Sequence, residues 1–459
     1  MSLTRRHFFY GTLLAGAVPT GGFGSTASLK LLGYKSPNEK LNIASVGAGG
    51  KAATDIQGCS TENIVALADP DDKRAERMFK LHERVPKYKD FRRMFDKESK
   101  DIDAVIVAIP DFMHATAAMW AMERGKHVYV QKPLTRTIWE ARMLTEAAAK
   151  YKVASQMGNQ GYSNEGTRQC AEMIWAGEIG QVKEVHAWTN RPIWPQGLTE
   201  IPPEAAVPDT LDWNTWLGIQ SMRPYSPAYL PGKWRGYFDF GCGALGDMAC
   251  HILGAPNMAM MLGAPTSVEC IHQEGTSSFS FPKKSIIRFD FPARGVMPAV
   301  KLFWHDGMNG PPPRPAGLAE SELLGDLPRP GQKVNPNDPP FDSNGSLFVG
   351  DKGFITTGTY GQFTRLLPAE RMKDYKFPPP LLTRSPGHYR DWIRACKGGD
   401  ASCSNFSVAG PFTEWILLGV LALRFPGKLE WDSAKMRVTN NVEANHLIKP
   451  KFRKGWTLT

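Results

Sequence analysis

Two groups of residues have types and spacings that could do chemistry. The first is Gly47-Ala48-Gly49-Gly50-Lys51-Ala52, which follows the apolar run Leu41 to Val46 and leads into a helical pattern. In such a strand-turn-helix, Gly47 permits a tight turn and Gly49, with Gly50 beside it, lets the backbone approach a ligand. Ala52 is small enough for close helix packing. A helix start bearing unpaired N–H groups suits a pyrophosphate. Asp69 ends the next apolar run, Ile64 to Ala68, twenty residues past Gly49, where its carboxylate can accept from a ribose diol. The turn and the acid together predict a bound dinucleotide, and Asp69 disfavours a 2′-phosphate, so NAD is expected over NADP. Asp71 and Asp72 add like charge nearby, while Lys73 and Arg74 partly offset it.

The second group is Asp247 and His251. Four residues apart, they share one face if the segment is helical, where a carboxylate can orient an imidazole that carries a proton. Before them lie Arg191, Trp194, Tyr225, Tyr229, Trp234, Arg235 and Tyr237. Aromatic rings stack on the apolar faces of pyranoses and arginine donates to hydroxyls or carboxylates. Arg191, Trp194, Tyr229, Trp234 and Arg235 are therefore the candidate substrate contacts, whereas Trp188 and Trp216 read as packing residues.

Strands and helices must position these groups. A helix is expected over Lys73 to Glu83, a strand over Asp103 to Ile109, a helix over Ala115 to Arg124, a strand over His127 to Val130, a helix over Ile138 to Tyr151 and a strand over Val153 to Met157. This alternation predicts a parallel sheet with helices on both faces. Asn159, Gln160 and Tyr162 then fall at the carboxyl edge of that sheet, and Gln160 is a candidate contact to nicotinamide or substrate. From Val182 the texture changes to longer, alternating runs (Val182 to Asn190, Thr266 to Gln273, Ser285 to Phe291, Ala299 to Phe303), which predict an open, largely antiparallel sheet. Helices are expected around Gly166 to Ala176 and Gly246 to Met261. Ile201 to Pro208 and Gly310 to Pro340 are too rich in proline for central strands and read as long loops or insertions that could cap a pocket or mediate assembly. The apolar helix Pro411 to Arg424 is expected to pack across the domain junction.

The segments Ala108-Ile109-Pro110-Asp111-Phe112-Met113-His114, Gln131-Lys132-Pro133 and Asp247-Met248-Ala249-Cys250-His251, in that order, resemble the Gfo/Idh/MocA oxidoreductase family. The resemblance implies an α/β protein: an N-terminal Rossmann dinucleotide-binding domain (34–161) followed by a C-terminal α+β domain (162–459). Residues 1–33 are expected to be a twin-arginine signal and spacer, and the C-terminal segment is expected to pack back at the junction. It further implies that Asp111 and His114, in a loop after the fourth strand, line the cofactor together with Gln131, and that Lys132 sits where nicotinamide and substrate meet. Lys132, Asp247 and His251 then form an acid/base set. Oxidation of a secondary alcohol releases a hydride to nicotinamide and a proton to a base, for which His251 is the candidate; Lys132 would stabilise the developing alkoxide and Asp247 would tune and orient the pair. The family usually has Glu-Lys-Pro, so Gln131 removes a negative charge beside Lys132.

Composition bounds the function classes. The chain has 459 residues and a formal net charge of +10, but its basic runs are short, and no nucleic-acid role is expected. Seven cysteines without a CxxC pair argue against a zinc ribbon or disulfide framework, and no metal is expected. Thr4-Arg5-Arg6-His7-Phe8-Phe9, followed by the modest apolar stretch Gly11 to Val18, matches the twin-arginine export pattern, so a periplasmic or secreted protein without a membrane span is expected. An exported enzyme lacks a pool of soluble NAD, which makes a tightly bound cofactor attractive. The leading expectation is an NAD-dependent oxidoreductase acting on a ring hydroxyl of a sugar or glycoside, and a homo-oligomer. The alternatives are an NAD-assisted glycosidase that oxidises, eliminates and re-reduces, and a non-catalytic sugar-binding protein.

Overall fold

The computed structural model describes residues 39–308, 311, 312, 314–327 and 343–458. The twin-arginine segment and part of the proline-rich stretch lie outside them.

The first sheet has six parallel strands. In chain order its elements are β1 (Asn42–Val46), α1 (Lys51–Gly58), β2 (Asn63–Ala68), α2 (Asp72–Leu81), β3 (Lys87–Tyr88), α3 (Phe91–Glu98), β4 (Ala104–Val107), α4 (Asp111–Met122), β5 (His127–Val130), α5 (Ile138–Tyr151) and β6 (Ser155–Met157). The spatial order is β3-β2-β1-β4-β5-β6. Register decides where function can lie. Val46 pairs with Val107 and Ala68, and Val107 with Val130, so the strands end level and the residues that follow them share one carboxyl edge. That edge carries Gly47, Asp69, Ala108 and Gln131-Lys132.

Alternation along each strand divides the core. Ala44, Val46, Val105, Val107, Val128 and Val130 bury against α3, α4 and α5, while Ile43, Leu67, Ala104, Ile106 and Tyr129 face the opposite way. The second face is covered partly by α1 and partly by a late helix whose Trp392, Ile393 and Cys396 belong to the same cluster. The chain therefore returns from the second domain to complete the first.

After β6 come α6 (Glu165–Ala176), β7 (Val182–Trp188), α7 (Trp213–Leu217), α8 (Gly243–Ile252), α9 (Gly254–Ala259), β8 (Ser267–Glu274), β9 (Lys284–Phe291), β10 (Val300–Asp306), β11 (Gly345–Gly350), β12 (Gly353–Thr357) and β13 (Arg365–Leu367). The returning helix α10 (His388–Cys396), α11 (Phe406–Ala422), β14 (Lys428–Asp432), β15 (Arg437–Val438) and α12 (Val442–Asn445) complete the chain. The strand order is β13-β12-β11-β7-β10-β9-β8-β14-β15, antiparallel except for the parallel β7–β10 pair. This is the expected α+β domain with an open, largely antiparallel sheet. Helix α11 starts at Phe406, five residues before Pro411, because Asn405 caps it by accepting from the Ser407 N–H.

Two boundaries differ from expectation with consequences for the site. Helix α4 begins at Asp111, with Pro110 before it, so Asp111 and His114 lie in a first helical turn and not in a loop. The helix expected over 246–261 is two helices broken at Leu253, both buried against the junction.

Candidate active site

One cavity of about 760 Å³ runs along the carboxyl edge of the six-stranded sheet. Gly47, Gly49, Asp69, Lys73 and Arg74 line one part of it; Asp111, Gln131, Lys132, Gln160, Trp234, Arg235 and His251 line another.

The turn fits a dinucleotide on structural grounds. Gly47 has φ +96°, and a Cβ there would lie 2.3 Å from the Ala108 carbonyl oxygen, so only glycine keeps β1 and β4 this close. A Cβ on Gly49 would lie 2.5 Å from Arg74, whose guanidinium also packs over Gly50. Gly50 itself does not line the cavity. The Asp69 carboxylate accepts from the N–H groups of Ala48 (2.9 Å), Gly49 (3.2 Å) and Asp71 (3.0 Å). Asp69 thus clasps the turn, and a carboxylate with about four acceptor positions still has room for a ribose hydroxyl. Burial pushes its pKa up, against the three N–H donors. A strap from the second domain crosses this end: the Asp72 N–H donates to the Thr210 carbonyl, the Asp212 N–H to Pro70, and Lys89 Nζ to Thr210. Pro208, Thr210 and Leu211 of this strap line the cavity.

At the other end, Lys132 Nζ donates to Asp247 Oδ1 at 2.6 Å and to the Asp247 carbonyl at 2.8 Å. Arg235 Nε donates to the same Oδ1 at 3.0 Å while its guanidinium stacks on Trp234. Burial alone would raise the pKa of Asp247, but Lys132 and then Arg235 hold it well below the usual carboxylate range. The expected Asp247–His251 hydrogen bond is not formed, because the carboxylate is taken by these two cations. His251 is buried, its Nδ1 has no partner among the described residues, and burial followed by the Lys132 charge pushes its pKa well down. It is a neutral imidazole. Asp111, also buried here, is pushed up to about 7 by burial against the pull of Arg235 and Lys132.

Gln131 is part of a network that the sequence did not reveal. Its Nε2 donates to Asp55 Oδ2 at 2.7 Å, and Asp55, fully buried on α1, also accepts from Lys51 Nζ (2.7 Å) and the Tyr389 hydroxyl (2.7 Å). With its amide turned to satisfy its neighbours, Gln160 accepts from Lys51 Nζ at 3.0 Å. In this chain Asp55 supplies the carboxylate beside position 131. Only the four-residue spacing of Lys51 and Asp55 hinted at it.

Several expected contacts are absent. His114 does not line the cavity; its ring nitrogens lie 2.8 Å from the Ile109 and Pro133 carbonyls, bracing the segments on either side. Tyr229 is a core residue packed on Trp213, Tyr237 and Phe240. Arg191 and Trp194 lie off the cavity, bonded to Asn190 and Gln196 respectively. Conversely Trp216, read as packing, lines the cavity, as do Tyr225 and Tyr360. Among the described residues no cluster of side chains could hold a metal, and no helix is long and apolar enough to cross a membrane.

Comparison with known proteins agrees with this fold. Residues 41–159 match the model of the NAD-binding Rossmann fold of the oxidoreductase family, and residues 175–270 match that of its C-terminal alpha/beta domain. A glycosyl hydrolase family 109 protein of Solibacter usitatus is 27% identical over 174 residues, 35% of this chain and 39% of the relative. Inositol 2-dehydrogenase 4 of Saccharopolyspora erythraea is 30% identical over 169 residues, 35% of this chain and 49% of the relative. The chain thus spans less than half the length of these two curated relatives. The WlbA dehydrogenase of Bordetella pertussis, solved with NADH and UDP-GlcNAcA, shares the fold with a TM-score of 0.58 at 14% identity, covering 86% of this chain and 99% of that one. With both family domains matched in order around a glycine turn and a Lys132–Asp247 pair, the chain belongs to the Gfo/Idh/MocA oxidoreductases.

Proposed function

We propose that this protein is an NAD-dependent oxidoreductase acting on a ring hydroxyl of a sugar or glycoside, with the cofactor kept bound through turnover. The observation that carries the reading is the meeting of Lys132 and His251 in the same cavity as the glycine turn and Asp69. NAD, when bound, supplies the hydride acceptor. Gly47, Gly49 and Arg74 would hold its phosphates and Asp69 a ribose. Lys132 donates to the substrate oxygen and stabilises negative charge on it. His251, kept uncharged by burial, is ready to take the hydroxyl proton, and Asp247 fixes the Lys132 ammonium at 2.6 Å. Trp216 and Trp234, which line the cavity, would contact the apolar side of a pyranose.

Cofactor retention is supported by the strap over Pro70 to Asp72, which must peel away before an adenosine end can leave. It accords with export directed by the twin-arginine pattern at Arg5-Arg6, which we also propose, as we do assembly into a homo-oligomer. The similarity to a glycosyl hydrolase family 109 protein favours a second reading, in which oxidation, elimination and re-reduction give hydrolysis without net NADH.

The test begins with protein purified from the periplasm without added cofactor, then denatured so that released nucleotide can be identified by absorbance and mass. Stoichiometric NAD or NADH is expected. The loaded enzyme is next given a panel of sugars, cyclitols and p-nitrophenyl glycosides. Nitrophenol release without NADH build-up supports the second reading, and a protein that binds no dinucleotide overturns both.

A further inference from the structure

Tyr360 has no place in the reaction as described, yet it stands at its centre. It sits in the turn between β12 and β13, lines the cavity, and packs edge-on against His251 with ring centroids 4.8 Å apart at 66°. The residue is 42% exposed, and its hydroxyl has no hydrogen-bond partner among the described residues. Burial and then the Asp247 charge raise its pKa, so it stays a neutral phenol able both to donate and to accept.

The turn that carries it is held unusually firmly for an exposed connection. Asp326, from the proline-rich insertion, accepts from the Thr359 N–H (2.9 Å) and Thr359 hydroxyl (2.7 Å), and from Gln362 Nε2 (2.7 Å). Gln362 Oε1 in turn accepts from the Tyr360 N–H at 2.6 Å. The far side is docked on the start of α6. A Cβ on Gly361 would lie 2.1 Å from Thr167 Oγ1, and one on Gly166 would lie 2.1 Å from the Gly361 carbonyl oxygen. Immobilising an aromatic residue on a turn costs conformational entropy, and these charge-assisted bonds to Asp326 offset it. Such a brace makes sense for a side chain that must meet a ligand in one position.

We propose that Tyr360 is a substrate-binding residue that hydrogen-bonds a hydroxyl of the sugar next to the one oxidised, and that Asp326 is the positioning residue that fixes it there. The described residues 314–327 of the proline-rich stretch then have a function, because they reach the active site through Asp326. Tyr360 also walls the imidazole of His251 from solvent on one side. This assignment rests on the sugar oxidoreductase reading.

The experiment compares NAD-loaded wild type, Tyr360→Phe, Asp326→Asn and the double variant. Binding of D-glucose and myo-inositol is followed by saturation-transfer NMR, and turnover of the best sugar in the panel by NADH absorbance. Tyr360→Phe removes one oxygen from a solvent-facing turn, so folding is not at issue. It should weaken sugar binding about fivefold, the value of one net hydrogen bond, through KM with kcat and NAD affinity little changed. Asp326→Asn should do the same to a smaller extent and add nothing in the Tyr360→Phe background. Wild-type KM in Tyr360→Phe overturns the assignment of Tyr360 and leaves the oxidoreductase reading intact. Additive effects in the double variant overturn the role of Asp326. A wild type that neither binds nor oxidises any sugar or cyclitol overturns the function reading and this assignment with it.

Discussion

Replacing Gln131 by glutamate restores the residue usual in the family and should nevertheless damage this protein. In the native chain the Gln131 amide donates to Asp55 across 2.7 Å, and neither side chain meets solvent freely. The Gln131→Glu change would set two carboxylates at that separation. At an effective dielectric of about 20, two unit charges so placed repel by about 6 kcal/mol. Protonating an ordinary carboxyl at pH 7 costs about 4 kcal/mol, so the pair would keep one shared proton in the fold and lose it on unfolding. Asp55 already leans that way, its pKa raised by burial against Lys51, Tyr389 and Gln131. The folded pair therefore binds a proton that the unfolded chain releases above about pH 4.5, and stability falls as pH rises beyond that point, by about 1.4 kcal/mol per pH unit until the folded pair itself ionises. Thermal unfolding of both proteins between pH 5 and pH 8 provides the assay. Gln131→Glu should melt near wild type at pH 5 and several degrees below it at pH 8, and Asp55→Asn in the same chain should remove most of the pH-dependent gap. A gap that does not change with pH, or one untouched by Asp55→Asn, would refute the reasoning.

Asp111→Asn should act in the opposite sense. The buried carboxyl is pushed up to about 7 from near 3.8, so wild type loses stability as pH rises between those values, and the variant should gain on it by on the order of 4 kcal/mol at pH 8 and by little at pH 4. Denaturant unfolding at the two pH values checks this. Lys132→Met should lower turnover by about 10²- to 10⁴-fold while leaving NAD content unchanged, since Asp247 keeps its bond to Arg235; mass spectrometry of denatured protein and NADH absorbance separate the two effects. Gly47→Ala should lose co-purified nucleotide, because its Cβ meets the Ala108 carbonyl. Gly125→Ala, also at positive φ but with nothing within 4 Å, should keep its nucleotide and lose only about 1 kcal/mol of stability.

The first domain was readable because its signals are local. Strand, glycine turn and helix are contiguous in Leu41 to Gly58, and the parallel register then forces Asp69 and Lys132 to the same edge. The pairing within the site was not readable in the same way. Spacing places Asp247 and His251 on one helix face, yet which cation takes the carboxylate depends on Lys132, 115 residues away, and on Arg235. Tyr360 and Asp326 carried no signal, since an aromatic in a glycine-rich turn and an acid in a proline-rich loop are ordinary residues until the fold joins them. Tyr229 and Trp216 exchanged roles for a similar reason: aromatic clustering marks a region, and only packing decides which ring faces the cavity.

The way the two domains join bears on how a substrate enters. A single apolar cluster runs from Val46, Val107 and Val130 of the first sheet through Leu245 and Ile252 of α8 to Phe289 of the second sheet and Trp415 of α11. Helix α10 seals the other face with Trp392, and Trp456 near the C-terminus packs on Phe91 of α3. An opening of one domain against the other would expose several of these large side chains at about 1.5–3 kcal/mol each, more than thermal motion supplies. The cleft is therefore fixed and the cavity must be entered through its rim. Leu230, Pro231 and Gly232 line the cavity and precede the short turn bearing Trp234 and Arg235, whose guanidinium is bonded to Asp247. The strap borders that rim beside Pro70 to Asp72, and the 230–235 segment borders it beside Lys132 and Asp247, so the two ends of the cavity are closed by different segments of the second domain.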